Sequence, residues 1–394
     1  VAKSENDLAA EIRETVSGCV GAWGRTFKAP LLGVSGGLDS SIVAASLVRA
    51  GVQPVCFTMA TTEQSGDERS FARILCAHLK LDLVERTYDL QDIDISDSTG
   101  LHLPRPGTPT FGQSNRKVRA ELQQARRIDG FFSGIGGDNV FCLTMSATPV
   151  VDCYRTYGLS TATWSALKDI CRLTRCSVWD ALAAAIDRGR RPNPAYEWCL
   201  ESRFLNRDRF GAATPPLTSG TWLETPSSAL PGKAVHVARI MGLQFPSDIF
   251  SRSVSGPHIL PLFSQPIVEL CLAIQTWQWC SGGQNRALAR KAFAGLLPSA
   301  ITERKSKGGP DSFAYDVATH NREAIRDRLI GGILADHRVL DRNELDQALR
   351  RTSKMAQGDH LRILAIVEAE NWARHWHSSG TGERSPATAG TAAP

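Results

Sequence analysis

The chain of 394 residues lacks several patterns that would assign it to a familiar class. None of its ten cysteines forms a C-x-x-C pair, which argues against a zinc site and favours reduced, buried thiols. No run reaches the roughly 18 apolar residues that a membrane-spanning helix needs, and the N-terminal residues lack the apolar centre of a signal peptide. We therefore expect a cytoplasmic protein without a membrane partner.

Neither sign of charge dominates the composition. Lysine and arginine number 45 against 40 aspartates and glutamates, which gives a formal net charge of +5. This mild excess suits an anionic small ligand but does not indicate a nucleic-acid partner. The 42% hydrophobic and 22% charged residues are typical of a folded soluble protein of one large or two packed domains.

The apolar pattern predicts an α/β fold. Short buried strands are expected at 29–34, 52–59, 81–87 and 130–133, with helices between the first three. This alternation predicts a parallel sheet with flanking helices, followed by a mostly helical C-terminal part. The predicted divisions are an N-terminal helix in 1–28, an α/β core in 29–150, a mainly helical substrate part in 151–377 and a disordered tail in 378–394.

A glycine-rich loop joins the first predicted strand to a helix. Its glycines let the main chain approach a ligand closely, and the helix N-terminus offers N–H groups to an anion. The G-K-[ST] ending of a Walker loop is absent, and an ordinary glycine turn is the alternative. The carboxylate in the loop suits a phosphate only if Mg²⁺ bridges them. The predicted phosphate-binding residues are Val34, Ser35, Gly36, Gly37, Leu38, Asp39, Ser40 and Ser41, with Asp39 also a metal ligand.

A second glycine loop follows the strand at 130–133. The carboxyl ends of parallel strands share one edge of a sheet, where α/β proteins bind ligands, so the two loops are expected to meet there. Its main chain would contact a nucleotide, and Asp138 would be the second Mg²⁺ ligand. The residues predicted to line the nucleotide are Ser133, Gly134, Ile135, Gly136 and Gly137.

A basic segment near residue 300 is the third candidate. Six basic residues lie from Arg286 to Lys307, which favours a surface that faces an anion. Lys307 is the first candidate for a catalytic cation, because Gly308 and Gly309 would let the segment close over phosphates. Lys305 is the alternative, and a solvated basic helix end is the explanation without function.

The loops SGGLDSS and SGIGGDNVF resemble those of the asparagine synthetase synthase domain, a branch of the PP-loop ATP pyrophosphatase superfamily. Similar segments at 57–59, 258–264 and 290–308 extend the likeness over roughly residues 10–375. The resemblance implies the adenine nucleotide alpha hydrolase-like fold, ATP cleavage between the α and β phosphates with Mg²⁺, and adenine recognition by Thr58 and Met59 at the end of the second strand.

The sequence departs from asparagine synthetases in two ways. Those enzymes carry an N-terminal glutaminase domain that begins with a nucleophilic Cys, whereas residue 1 is Val, so we expect a fragment or a shortened form. Their second loop carries two glutamates where this chain has Ile135 and Asn139. Ile135 also replaces a catalytic Tyr of β-lactam synthetases.

With these departures the chain is most similar to lasso peptide cyclases. That resemblance implies adenylation of an Asp or Glu side chain of a ribosomal precursor peptide, then closure of a macrolactam by the peptide's N-terminal amine. It also implies a leader-peptide recognition protein and a cysteine protease of the same pathway as partners. The alternatives are an asparagine synthetase that uses ammonia or glutamine, and a non-catalytic nucleotide-binding scaffold.

Some residues near the motifs are expected to have structural roles. We predict a buried core histidine, two core tryptophans, a solvated basic helix face and a helix-capping asparagine. These are His236, Trp277 and Trp279, Arg116 with Lys117 and Arg119, and Asn139, respectively.

Overall fold

A computed structural model of the chain describes most of its residues. The described ranges are 3–63, 66–98, 100–107, 110–191, 202–210, 228–243, 256–305, 308–350, 355–356 and 358–380.

Five strands form one parallel sheet in the order β3-β2-β1-β4-β5. The sheet and its first four strands confirm the α/β prediction. β5 was not predicted, because a strand of two residues has no periodicity to detect. The bounds are β1 Pro30–Gly33, β2 Val55–Ala60, β3 Leu83–Thr87, β4 Gly130–Phe132 and β5 His258–Ile259.

The central strand β1 determines where a ligand can bind. Leu32 of β1 is in register with Cys56 of β2 on one side and with Phe132 of β4 on the other. The chain leaves β1 toward β2 but returns on the opposite side as β4, so the connections diverge at this point. Such a switch opens a crevice at the carboxyl edge of the sheet. The two glycine loops follow β1 and β4 and border this crevice.

Helices cover the sheet and form most of the C-terminal part, as predicted. Within the described ranges, no helix combines the length and the apolar character needed to cross a membrane. The helices are α1 Glu5–Gly24, α2 Leu38–Arg49, α3 Arg69–Leu79, α4 Gln113–Arg126, α5 Gly137–Val140, α6 Thr148–Tyr157, α7 Thr161–Thr174, α8 Val178–Arg190, α9 Arg207–Phe210, α10 Pro231–Gly242, α11 Gln265–Ala273, α12 Ala287–Phe293, α13 Ser299–Thr302, α14 Asp311–His320, α15 Arg322–Ile330, α16 Ile333–Asp336, α17 Arg342–Arg350 and α18 Asp359–Gly380.

The N-terminal helix α1 is part of the core. It begins with a capping box in which the Ser4 hydroxyl accepts from the Asp7 N–H and the Asp7 carboxylate accepts from the Ser4 N–H. Ile12, Val16 and Val20 recur at helical spacing and are fully buried in the same apolar cluster as the central strands. α1 therefore belongs structurally to the α/β core that follows it.

A second apolar cluster forms the C-terminal part. It includes Phe313 of α14 and Val367 of α18, both buried. The Tyr88 ring, just after β3, stacks on Phe313 with ring centres 4.8 Å apart and so joins this cluster to the sheet edge. The last helix α18 extends to Gly380, past the predicted start of the tail at 378. Residues 381–394 lie outside the described residues.

Two structural predictions are wrong. Arg119 does not lie on a solvated face: it is buried, and its guanidinium carbon is 4.2 Å from the centre of the Phe131 ring, because α4 packs against the sheet. Arg116 and Lys117 do lie on an exposed face of α4, where they form ion pairs with Asp97 and Asp92. Asn139 does not cap the following helix, since α6 begins only at Thr148; its Nδ2 donates to the Arg239 carbonyl at 2.7 Å.

His236 is in the core, as predicted, and so is Trp279; Trp277 is half-buried. The His236 ring lies in α10, and its Nε2 is 2.9 Å from the Val140 carbonyl oxygen at the end of α5. Burial lowers the pKa of His236 to about 4. The neutral ring therefore connects α10 to the helix that follows the second glycine loop.

Acidification should destabilise the fold through His236. Its folded pKa lies below the ordinary value of about 6.5, so between those values the unfolded state binds more protons, and the free energy of unfolding falls as the pH falls. His236→Gln should make this fall smaller, by up to about 3 kcal/mol between pH 6.5 and pH 4. Urea denaturation at several pH values measures it. Equal pH dependence in wild type and His236→Gln would contradict the assignment.

Candidate active site

A cavity of about 520 Å³ opens at the carboxyl edge of the sheet. Both glycine loops and the end of β2 line it. Thirteen of the residues singled out in the sequence are in its wall: Val34, Ser35, Gly37, Leu38, Asp39, Ser40, Thr58, Met59, Ser133, Gly134, Ile135, Gly136 and Asp138. Gly36, Ser41 and Gly137 are not among the lining residues.

The first loop depends on a glycine that a side chain cannot replace. Gly36 has φ +60°, and a Cβ built on it would lie 2.3 Å from Cβ of Phe71 in α3. The next glycine, Gly37, is the N-cap of α2 and has no side chain to cap the first turn of the helix, a place where anions commonly bind. The Ser41 hydroxyl donates to the Gly37 carbonyl at 2.7 Å and fixes the turn.

The second loop packs directly against the first. A Cβ on Gly137 would lie 2.4 Å from the carboxyl carbon of Asp39, and one on Gly134 would lie 2.4 Å from the Ser40 nitrogen. Gly136 has φ +96°, which L side chains rarely adopt. These glycines act mainly by letting the second loop approach α2, and this contact brings Asp138 next to Asp39.

An arginine that the sequence analysis did not single out joins the two carboxylates. Arg286 Nη1 lies 2.8 and 2.9 Å from the Asp39 oxygens and 2.5 Å from Oδ1 of Asp138. Its side chain is only 10% exposed. The basic run from Arg286 to Lys307 includes this arginine, but Gly308 and Gly309 favour the other end of the run as the catalytic part.

A second arginine connects the same basic segment to the first loop. Arg304 donates to the Ser35 carbonyl at 3.2 Å and to Glu68 Oε1 at 2.6 Å, and its guanidinium carbon lies 3.9 Å from the Phe71 ring centre. Glu68 also accepts from the Gly308 N–H at 3.0 Å. Arg304 and Gly308 are therefore both tied to Glu68, and Arg304 also lies against the first glycine loop.

The structure describes one of the two predicted catalytic lysines. Lys305 is exposed and is not among the residues that line the cavity. Lys307 lies outside the described residues. Gly308 and Gly309, which follow it, do line the cavity, and so does Arg290, whose pKa is lowered by burial.

Part of the cavity wall is aromatic and polar. Phe57 and Met59 of β2 line it together with Tyr88 and Asn115. Burial raises the pKa of Tyr88 to about 12, although a hydrogen bond from Asn115 opposes the shift. An apolar wall with a few fixed hydrogen-bonding groups suits a planar ring such as a nucleobase.

The carboxylate pair has the donor chemistry of a magnesium site. Mg²⁺ is held in proteins by one or two carboxylates, with substrate phosphates and water completing its coordination. Asp39 and Asp138 already approach one nitrogen atom within hydrogen-bonding distance, so one cation can contact both. Over the described ranges, no cluster of three or more His, Cys, Asp or Glu residues could hold a metal alone. A nucleotide would have to supply the remaining ligands.

The parallel sheet and its paired glycine loops define an α/β protein of the PP-loop kind. A family model described as asparagine synthase matches residues 11–377, and the chain belongs to that family. Membership makes it, in general terms, an ATP-dependent synthetase that forms amide bonds. No curated protein matches the chain.

Replacement of Gly36 should be far more harmful than replacement of a glycine with a similar backbone. Gly51 has φ +77°, but nothing lies within 4 Å of a built Cβ. Gly51→Ala should cost only the left-handed strain, about 1–2 kcal/mol. Gly36→Ala adds the clash with Phe71 and should cost about 3–4 kcal/mol. Chemical denaturation measures both losses, and equal losses would show that the contact with Phe71 is unimportant.

Proposed function

We propose that the chain activates a carboxylate as an acyl-adenylate and transfers it to an amine. The observation that carries this proposal is the convergence of Asp39 and Asp138 on one cation position, beside two glycine loops at the sheet edge. Bound there, Mg²⁺ would neutralise charge between the phosphates and the attacking carboxylate. The reaction would release AMP and pyrophosphate.

Positive groups of the chain itself would stabilise the negative charge that the metal does not neutralise. Attack on an α-phosphate brings two anions together, so fixed positive groups lower the barrier. The first turn of α2 offers main-chain N–H groups, and Arg286 and Arg290 line the cavity. Of the two predicted lysines, Lys307 remains the proposed catalytic cation and Lys305 the alternative.

The substrate that we propose is a ribosomal precursor peptide. Its Asp or Glu side chain would be activated, and its own N-terminal amine would close a macrolactam. Ile135 supports this, because it lines the cavity, is 38% exposed and cannot act as a base. An α-amine with a pKa of about 7.7–8.0 is partly neutral at cytoplasmic pH and needs little help from a base. Positioning of the folded peptide would then supply much of the rate.

We also propose which proteins act with the chain and in which compartment the reaction occurs. A leader-peptide recognition protein would deliver the precursor, and a cysteine protease of the same pathway would expose its amine, all in the cytoplasm. Asparagine synthesis from aspartate with ammonia or glutamine is a second candidate, since the family match over residues 11–377 is equally compatible with it. A non-catalytic scaffold would have no evident need for the carboxylate pair.

Turnover with substrate should convert ATP to AMP and pyrophosphate. Asp39→Asn and Asp138→Asn should each lower the rate by more than about tenfold, a barrier change of about 1.4 kcal/mol. Asp82→Asn, which removes a charge from a surface ion pair, is the matched control and should retain activity. Chromatography of the nucleotides decides the outcome, and ADP as the product would overturn the proposal.

The amide product separates the two candidate substrates. Incubation with ATP, Mg²⁺ and a precursor peptide cleaved to expose its N-terminal amine should yield a product lighter by one water, with fragment ions missing from the ring. Aspartate with ammonia should yield no asparagine. The reverse pattern would assign the chain to asparagine synthesis.

Separate alanine variants test the lysine assignment. Lys307→Ala should lower the macrolactam rate strongly, whereas Lys305→Ala should stay close to wild type, because Lys305 is exposed away from the cavity wall. Steady-state rates with thermal melts as the fold control decide between them. An inactive Lys305→Ala beside an active Lys307→Ala would reverse the assignment.

A further inference from the structure

Arg286 occupies the position where the proposed metal would bind. One of its nitrogen atoms, Nη1, contacts three carboxylate oxygens, two of Asp39 and one of Asp138. These are the oxygen atoms that a divalent cation would use. A guanidinium in this place satisfies both carboxylates without a metal.

The structure fixes Arg286 firmly in this position. Its backbone has φ +53°, a left-handed conformation that non-glycine residues seldom adopt and that is often found at functional sites. It is the N-cap residue of α12, where its side chain makes no capping bond. Only 10% of that side chain is exposed, and its Nε makes no hydrogen bond within the described part of the chain. The arginine therefore keeps one buried donor available for a further acceptor.

We infer that Arg286 excludes divalent cations from the site when no nucleotide is bound, and so makes metal binding depend on the nucleotide. This inference rests on the proposed function, because it assumes that the nucleotide and the metal share this site. A dication cannot approach the two carboxylates while a guanidinium contacts both, since like charges repel at short range in a partly buried site.

A bound nucleotide would let a divalent cation bind despite Arg286. Its phosphate oxygens give Arg286 another acceptor, and they add ligands that two carboxylates cannot provide alone. The metal then enters with the nucleotide, and by linkage each tightens the binding of the other. Arg286 is in this respect a positioning residue that acts through Asp39 and Asp138.

Binding of Mn²⁺, followed by loss of the free-ion signal in electron paramagnetic resonance, tests the inference without any reaction. The wild-type protein alone should bind Mn²⁺ only weakly. Arg286→Gln, which keeps a side chain of intermediate length but removes the charge, should bind one Mn²⁺ at least tenfold more tightly. Arg286→Lys keeps the charge and should behave like wild type.

Two further variants make the measurement specific. Arg116→Gln removes an equal charge from a pair with Asp97 outside the cavity and should leave Mn²⁺ binding unchanged. Adding Asp39→Asn to Arg286→Gln should abolish the gain, because the carboxylate is the proposed ligand. Wild-type protein with α,β-methylene-ATP should bind Mn²⁺ at least tenfold more tightly than either component alone.

The opposite results would overturn the inference. The first is tight binding of Mn²⁺ by the wild-type protein without nucleotide, if Asp39→Asn abolishes that binding. The second is an Arg286→Gln variant that melts like the wild type but binds Mn²⁺ no more tightly. If Arg286→Gln does not fold, the wild-type titrations with and without the nucleotide analogue decide. Failure of the proposed function appears separately, as absence of AMP and amide product, and leaves the metal titration of the free protein interpretable.

Discussion

The site depends on two carboxylates that the fold forces together. Asp39 is the second residue of α2 and Asp138 the second residue of α5, and each helix follows a strand of the same parallel sheet. Two negative charges that share one partner atom repel each other strongly in a partly buried crevice, so a cation must accompany them. Arg286 supplies that cation from a position 247 residues beyond Asp39. The charge of the two carboxylates is therefore neutralised only when the part of the chain that carries Arg286 has packed against the two glycine loops.

Glycines in both loops let Asp39 and Asp138 lie close together. Gly134 and Gly137 let the second loop touch the first turn of α2, where any side chain would collide with main chain or with Asp39. Gly36 lets the first loop lie against Phe71 of α3. The glycines therefore act first through packing between elements and only then through the approach of a ligand. A substitution there would change the carboxylate separation, on which binding of a shared cation depends.

Sequence patterns predict the features that depend on neighbouring residues, but not those that depend on contacts between distant parts of the chain. Four strands and both loops were found, because a strand followed by a glycine turn and a helix is a pattern within about fifteen residues. Arg286 was passed over as a site residue and Arg119 was placed on a solvated face, since partners remote in sequence decide both. β5 is too short for any pattern. The roles of the predicted site residues stay predictions, whereas the fold places thirteen of them in the wall of one cavity.

Two arginines, Arg286 and Arg304, each neutralise carboxylates that border the site. Arg286 neutralises the carboxylate pair, and Arg304 pairs with Glu68, whose side chain is 12% exposed and also accepts from Gly308. Removal of one partner from such a buried pair leaves an uncompensated charge, which costs about 3–5 kcal/mol, more than the pair itself contributes. Loss of a single arginine therefore disturbs the loop geometry and the electrostatics together.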